Sequence, residues 1–310
     1  MEQRYVGASG LRVSVLALGT LQWGADTDLE ECAELLDRFV AAGGTTLDVT
    51  GGVGAGAGVL GRLLAATHRR EDLVLVARGG RRGEVPGGPT AHDVSRRALL
   101  ADLDATLREL GTDHVDLWLA DGWSDDVPVE ETLSALESAL AGGRARYVGV
   151  AGHAGWQVAR AATLCREVTA AAAEWSLVAR GVERELVPAC AGLGLGVVAW
   201  GALGRGVLTG KYRSAVPADS RGASGHLAAF VGVHLRAGAR LVVDAVVTAA
   251  DGLGVAPAHV ALGWLCARPE LASAVVGPRT AAQLGGIVGG SSFAVPSEIA
   301  AVLDEVSART

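Results

Sequence analysis

The sequence is almost free of lysine. Of its 27 Lys and Arg residues only Lys211 is a lysine, which leaves 26 arginines. Tyrosine is nearly as scarce, at Tyr5, Tyr147 and Tyr212. Any chemistry that needs an amine or a phenol must use one of these four positions. The four cysteines, Cys32, Cys165, Cys190 and Cys266, form no Cys-x-x-Cys pair and have no histidine at ligand spacing, which excludes zinc-finger and dithiol motifs. They read as reduced, buried thiols of a cytoplasmic protein. The seven histidines make no i, i+4 pair, so no metal is expected. No apolar run reaches the roughly 18 to 20 residues of a membrane span. Met1-Glu2-Gln3-Arg4 lacks the basic-then-apolar pattern of a secretory signal. A net charge of -7 with no clustered surplus of cations argues against a nucleic-acid partner.

What the chain has instead is alternation. Short apolar runs alternate with longer amphipathic ones, the pattern of repeated βα units. Strands are expected at Leu16 to Leu18, Thr45 to Val49, Leu73 to Ala77, Val115 to Leu119, Ala145 to Val150, Thr169 to Ala173, Leu195 to Trp200 and Ala274 to Val276. The helix expected from Leu29 to Ala42 repeats Cys32, Leu35, Leu36, Phe39 and Val40 at intervals of three and four. Helix starts are expected from Thr27 with Glu30, Thr90 with Asp93 and Thr280 with Gln283. Ends are expected at Gly43-Gly44, Gly111, Gly142-Gly143 and Gly192. Eight such units over 310 residues predict an α/β fold, a closed (β/α)8 TIM barrel forming one domain over 1–310. A β-hairpin at residues 4–13, turning at Ser9-Gly10, precedes it. Residues 205–236 are the longest stretch without periodicity, and loops of that length are usually functional or mobile.

In such a barrel the chemistry sits at the C-terminal ends of the strands. Here those ends hold Asp48, Arg78, Asp121, Gly152, Glu174 with Trp175, Gly201 and Gly277. Gly56-Ala-Gly58-Val-Leu-Gly61 formally matches G-x-G-x-x-G. That fingerprint needs its first glycine in the turn directly after a strand, and seven residues separate Val49 from Gly56, so a Rossmann site is not expected.

The ordered motifs resemble the aldo-keto reductase family of NADPH-dependent (β/α)8 barrels. They are Tyr5-Val-Gly-Ala-Ser-Gly-Leu-Arg-Val-Ser-Val-Leu-Ala-Leu-Gly19-Thr20, Thr45-Thr-Leu-Asp48, Leu110-Gly-Thr-Asp-His-Val-Asp-Leu117, Gly143-Arg-Ala-Arg-Tyr147-Val-Gly-Val150, Glu174-Trp-Ser-Leu177, Leu203-Gly-Arg-Gly-Val-Leu-Thr-Gly-Lys-Tyr212 and Val276-Gly-Pro-Arg-Thr280 with Gln283-Leu284. The resemblance implies a reductase in which a Tyr donates a proton, a Lys lowers its pKa, an Asp pairs with the Lys and a His orients the carbonyl. Only Asp48 matches that set. The Tyr position falls in Gly51-Gly52-Val53-Gly54, the Lys position is Arg78 and the His position is Asp121.

Each change has a physical consequence. Arg78 can hold Asp48 in a two-pronged pair, yet a guanidinium with a pKa above about 12 relays no proton. Losing the Tyr removes general acid catalysis worth about 10² to 10⁴ in rate. An ionised Asp121 repels a developing alkoxide.

For the cofactor, the resemblance implies phosphate contacts from Gly201, Leu203, Arg205, Gly206 and Lys211, 2'-phosphate contacts from Arg279, Thr280 and Gln283, and stacking by Trp175. Gly152 and Ala172 stand where an Asn and a Gln hold the carboxamide, and Gly286 with Ile287 where a Glu-Asn pair meets the adenine. NADPH binding is thus only half supported.

Three functions are consistent with these residues. The first is a non-redox acid-base enzyme (dehydration, cyclisation or isomerisation) acting on a small organic molecule through Asp48, Arg78 and Asp121. Two carboxylates in one site push their pKa values apart there. His153 is an added acid or base, or a rim histidine facing water. Trp23, Val53, Trp123 and Trp156 are expected around a flat or hydrophobic ligand. The second is an NADPH-dependent reductase whose donor has moved to Asp121, His153 or water, and the third is a non-catalytic sensor of NADPH or a metabolite.

Overall fold

The computed structural model describes residues 1–49, 55–67, 70–82, 91–218 and 220–308. Strands β1 (Gln3–Tyr5) and β2 (Arg12–Ser14) pair antiparallel, forming the expected hairpin. Eight parallel strands follow: β3 (Leu16–Gly19), β4 (Thr46–Val49), β5 (Val74–Gly79), then, after the two-residue ribbon strands β6 (Arg81–Arg82) and β7 (Ala91–His92), β8 (Val115–Asp121), β9 (Ala145–Ala151), β10 (Val168–Glu174), β11 (Gly196–Trp200) and β12 (Leu271–Val276). β12 pairs back onto β3, with Ala274 opposite Leu16, and the barrel closes.

Helices α1 (Leu29–Ala41), α2 (Gly56–Thr67), α3 (Arg96–Leu110), α4 (Val129–Ala141), α5 (Gly155–Leu164) and α6 (Leu186–Leu193) alternate with the first six barrel strands. α7 (Ala228–Gly232), α8 (Ala237–Leu253) and α9 (Pro257–Cys266) follow β11, and α10 (Ala281–Val288) and α11 (Ser297–Ser307) follow β12. Among the described residues no single helix is long and apolar enough to cross a membrane.

Successive residues of a strand face opposite sides, and this splits the apolar residues into two cores. Ala170, Ala172, Val76, Leu117, Leu119 and Val198 fill the barrel interior, where Val6, Leu11 and Val13 of the hairpin region join them. Their neighbours Ala171, Ala173, Ala77, Trp118 and Ala199 face the helices, against residues such as Leu36, Phe39 and Leu103. Each fully buried Leu or Phe contributes about 1.5–3 kcal/mol.

Several expected punctuation marks move. α1 is capped by Asp28, whose carboxylate accepts from Glu31 N, rather than by Thr27 with Glu30. α3 is capped by Ser95, and Asp93 serves the turn before it by accepting from Ser95 N; Thr90 lies outside the described residues. α6 ends on Gly194 at φ 71° rather than on Gly192, because the left-handed cap falls after Leu193. Thr280 caps α10 as expected. Gly56, Gly58 and Gly61 all lie inside α2. A Cβ on Gly56 would strike Thr20 O and one on Gly61 would strike Glu109 O, so those two glycines permit close packing and cradle no phosphate.

Candidate active site

The residue alternation that places Val76, Leu117 and Leu119 inside the barrel carries Arg78 and Asp121 to its C-terminal mouth on the same side. Leu47 and Val49 face the helices, so Asp48 between them faces inward. Arg78 Nη2 donates to Asp48 Oδ1 at 2.5 Å, and both side chains are nearly shut off from solvent. The expected two-pronged pair is therefore one-pronged, and Arg78 Nε is buried with no partner among the described residues. Burial disfavours the Arg78 charge, but Asp48 and Asp121 outweigh it and hold the guanidinium above its usual range. Asp121 is 8% exposed, and no described donor bonds its carboxylate. The expected Asp-Arg-Asp cluster is present.

Beside it, His153 is 7% exposed and offers Nδ1 to Ala151 O at 2.8 Å, so it is a buried group and not a rim histidine facing water. Burial first, and His92 second, push its pKa down, against the Ala151 hydrogen bond and Asp121. Trp123 meets His153 edge-on at 5.7 Å and Trp156 at 5.2 Å. Trp156 stays 56% exposed, whereas Trp23 is 1% exposed and packs in the outer core. Trp23 therefore does not belong to the rim as expected. Val53 lies outside the described residues. His92 was not anticipated; its Nδ1 lies 2.9 Å from Asp121 O.

On the other side of the mouth a cavity of about 370 Å³ runs from Gly19, Leu21 and Asp48 to Arg279, Gln283 and Ile287. Gly201, Leu203, Gly206 and Lys211 line it as expected, and Thr280 caps the adjoining helix. Among the lining residues not anticipated are Trp200 and Arg221. Arg221 Nε donates to Gln22 Oε1 at 2.6 Å and its Nη2 donates to Gly277 O. Burial, reinforced by Arg279, pushes Arg221 down to about 10. Burial likewise lowers Lys211, with Arg221 and Arg279 adding to it. Three crowded cations with low solvation form a site that an anion stabilises.

Two expected cofactor residues have other work. Trp175 is 1% exposed, faces the outer core and donates Nε1 to Glu183 at 2.8 Å, so Trp200 supplies the indole of this cavity. Arg205 lines the cavity, but its fork grips Glu174 at 2.7 and 2.6 Å, and its Nη1 donates to Phe230 O. It is the one non-glycine at positive φ among the described residues, at 58°, a conformation costing about 1–2 kcal/mol. The grip on Glu174, which also holds His234 at 2.8 Å, maintains it. Within the stretch 205–236, read as aperiodic, the described residues include 3-10 turns at Gly204–Thr209 and Arg221–Ala223 and the helix α7, and Arg205, Lys211, Arg221 and Phe230 line the cavity.

All four cysteines are buried and unpaired. Glu137, Cys165 and Glu167 group at metal-ligand spacing among the described residues. Burial pushes the Cys165 thiol up to about 11, which disfavours the thiolate a metal needs.

The model of the Aldo/keto reductase family matches residues 15–308. The chain is similar to the uncharacterized oxidoreductase YrpG of Bacillus subtilis, 30% identical over 99% of this chain and 96% of the relative. It is similar to L-glyceraldehyde 3-phosphate reductase of Escherichia coli, 30% identical over 92% and 86%. It is also similar to norsolorinic acid reductase stcV of Emericella nidulans, 30% identical over 89% and 73%.

Proposed function

The chain belongs to the Aldo/keto reductase family, and we propose that it serves there as a non-redox acid-base enzyme, catalysing a dehydration, cyclisation or isomerisation of a small organic molecule in specialised metabolism. The observation that carries this reading is where the scarce phenols and the amine lie. Tyr5 is 60% exposed on the hairpin. Tyr147 stands near Gly10 of that hairpin, at the opposite end of the barrel. Tyr212 accepts from Gly222 N, with Lys211 over its ring. Lys211 lies on the cavity side; around Arg78, the described residues able to move a proton are Asp48, Asp121 and the imidazoles of His92 and His153. In this reading Arg78 holds Asp48 in place, Asp121 exchanges a proton with the substrate, and His153 stands neutral as a base.

The anion site fits NADPH: Lys211, Arg221 and Arg279 would hold its phosphates, and the Trp200 face would meet a flat ring. When bound, NADPH supplies a hydride. That the cavity runs on to Asp48 favours a second reading, a reductase whose proton donor has moved to Asp121, His153 or water.

Two measurements separate these. Enolisable ketones incubated with the protein in heavy water should exchange their α-protons, seen by NMR, whether or not NADPH is added. With a panel of aldehydes and ketones the absorbance of NADPH should not fall. Substrate-dependent loss of that absorbance would establish the second reading, and NADPH binding with neither activity would leave a sensor.

A further inference from the structure

Two imidazoles approach Asp121 from different elements, His92 from β7 and His153 from the segment after β9. Each presents Nδ1 to a backbone carbonyl, His92 to Asp121 O at 2.9 Å and His153 to Ala151 O at 2.8 Å. A carbonyl only accepts. Each Nδ1 therefore carries the hydrogen, and in the neutral ring each Nε2 keeps its lone pair. Gly122 N also donates to Ala151 O at 2.9 Å. At φ 108° Gly122 brings the chain so near the His92 ring that any Cβ there would collide with it. Both rings are thus fixed in place and in tautomer, His92 on the Asp121 backbone and His153 within the field of the Asp121 carboxylate. Trp123 sits edge-on to His153 and to Trp156, so a half-exposed aromatic shelf adjoins the His153 imidazole.

Resting on the acid-base reading above, we propose that this shelf takes a planar aromatic substrate bearing a removable proton, a phenol or an enolisable aryl ketone. His153 Nε2 is the proton acceptor. The proton leaves the O–H or C–H bond for Nε2, and its electron pair stays on the substrate as phenolate or enolate. The imidazolium, stabilised by the neighbouring Asp121 carboxylate, returns the proton at another atom. No oxidant or reductant enters.

4-Nitrophenol, whose ionised form is coloured, serves as the probe. Binding should quench tryptophan fluorescence, and the bound probe should ionise at a lower pH than it does in water. Trp156→Ala should weaken binding about tenfold. His153→Phe and His153→Gln should retain binding but ionise the probe at or above the pH seen in water. Gln keeps a donor for Ala151 O, so the test stands if the Phe variant fails to fold. Absent binding, an unshifted probe, or the wild-type shift persisting in His153→Gln would overturn the proposal. Turnover lost in Asp48→Asn tests the acid-base reading separately; if that loss is seen while the probe stays unshifted, only the aromatic-substrate proposal fails.

Discussion

The two sides of the barrel mouth differ in chemistry. On the β11–β12–β3 side, glycines and three cations surround a deep groove, and the motifs there resemble those of the family from Leu203 to Tyr212 and from Val276 to Leu284. On the β4–β5–β8–β9 side stand Asp48, Arg78, Asp121 and His153, and the proposed function takes this as the altered side: by the resemblance in sequence, Arg78 falls at a Lys position and Asp121 at a His position. Each βα unit delivers its own loop to the mouth, so one side changes while the scaffold and the other side stand. Under the proposed function, the comparison teaches that membership in the family and the chemistry performed are carried by different loops.

The largest effect should come from removing the cation on the altered side. Arg78→Met would leave Asp48 buried beside Asp121 with no opposite charge, a change that costs about 3–5 kcal/mol where a buried pair is broken. Urea denaturation should show it, and an unchanged midpoint would mean that Asp48 is not held by this pair. Next comes a transplant. If the altered side alone silences hydride transfer, then Val53→Tyr, Arg78→Lys and Asp121→His together should raise carbonyl-dependent NADPH oxidation by about 10²-fold or more. Persistent silence despite NADPH binding would show that the groove side has changed as well.

A smaller effect is expected on the groove side. Arg221→Met removes a charge-assisted donor of the kind worth about 1.5–3 kcal/mol, so NADPH should bind about 10- to 100-fold more weakly by calorimetry. Chemistry that does not consume the nucleotide should be little altered. Equal affinity in this variant would take Arg221 out of the anion site.

The barrel was legible because its signals are local: eight apolar runs of strand length, each followed by a helical repeat. So were Asp48, Arg78 and Asp121, since barrel geometry sends strand ends to the mouth. What escaped depended on alternation or on distant contacts. Ala172 faces the interior and Ala173 the helices, so Trp175 falls on the outside. Along β11, Val198 faces inward, and the same period places Trp200 in the cavity; that signal was present in the strand pattern. Arg221 had none, because its partner Gln22 lies 199 residues away in the chain and its own segment has no period. His92 lies in a strand of two residues, too short to show which way it points.

The smallest effect is a pH dependence of stability confined to one ring. Burial lowers the His153 pKa below its ordinary value of 6.5 in the folded protein, whereas the unfolded chain titrates near that value. Below pH 6.5 the unfolded state therefore takes up the proton first, and folding loses stability as the pH falls from there through the lower folded value. Above pH 6.5 both states hold a neutral ring and the contribution is constant. The difference in denaturation midpoint between wild type and His153→Phe should thus be flat from neutral pH upward, and below 6.5 it should shift in favour of the variant. A difference that stays flat on acidification would mean that His153 titrates alike in the folded and unfolded chain, and would remove the neutral base from the altered side of the mouth.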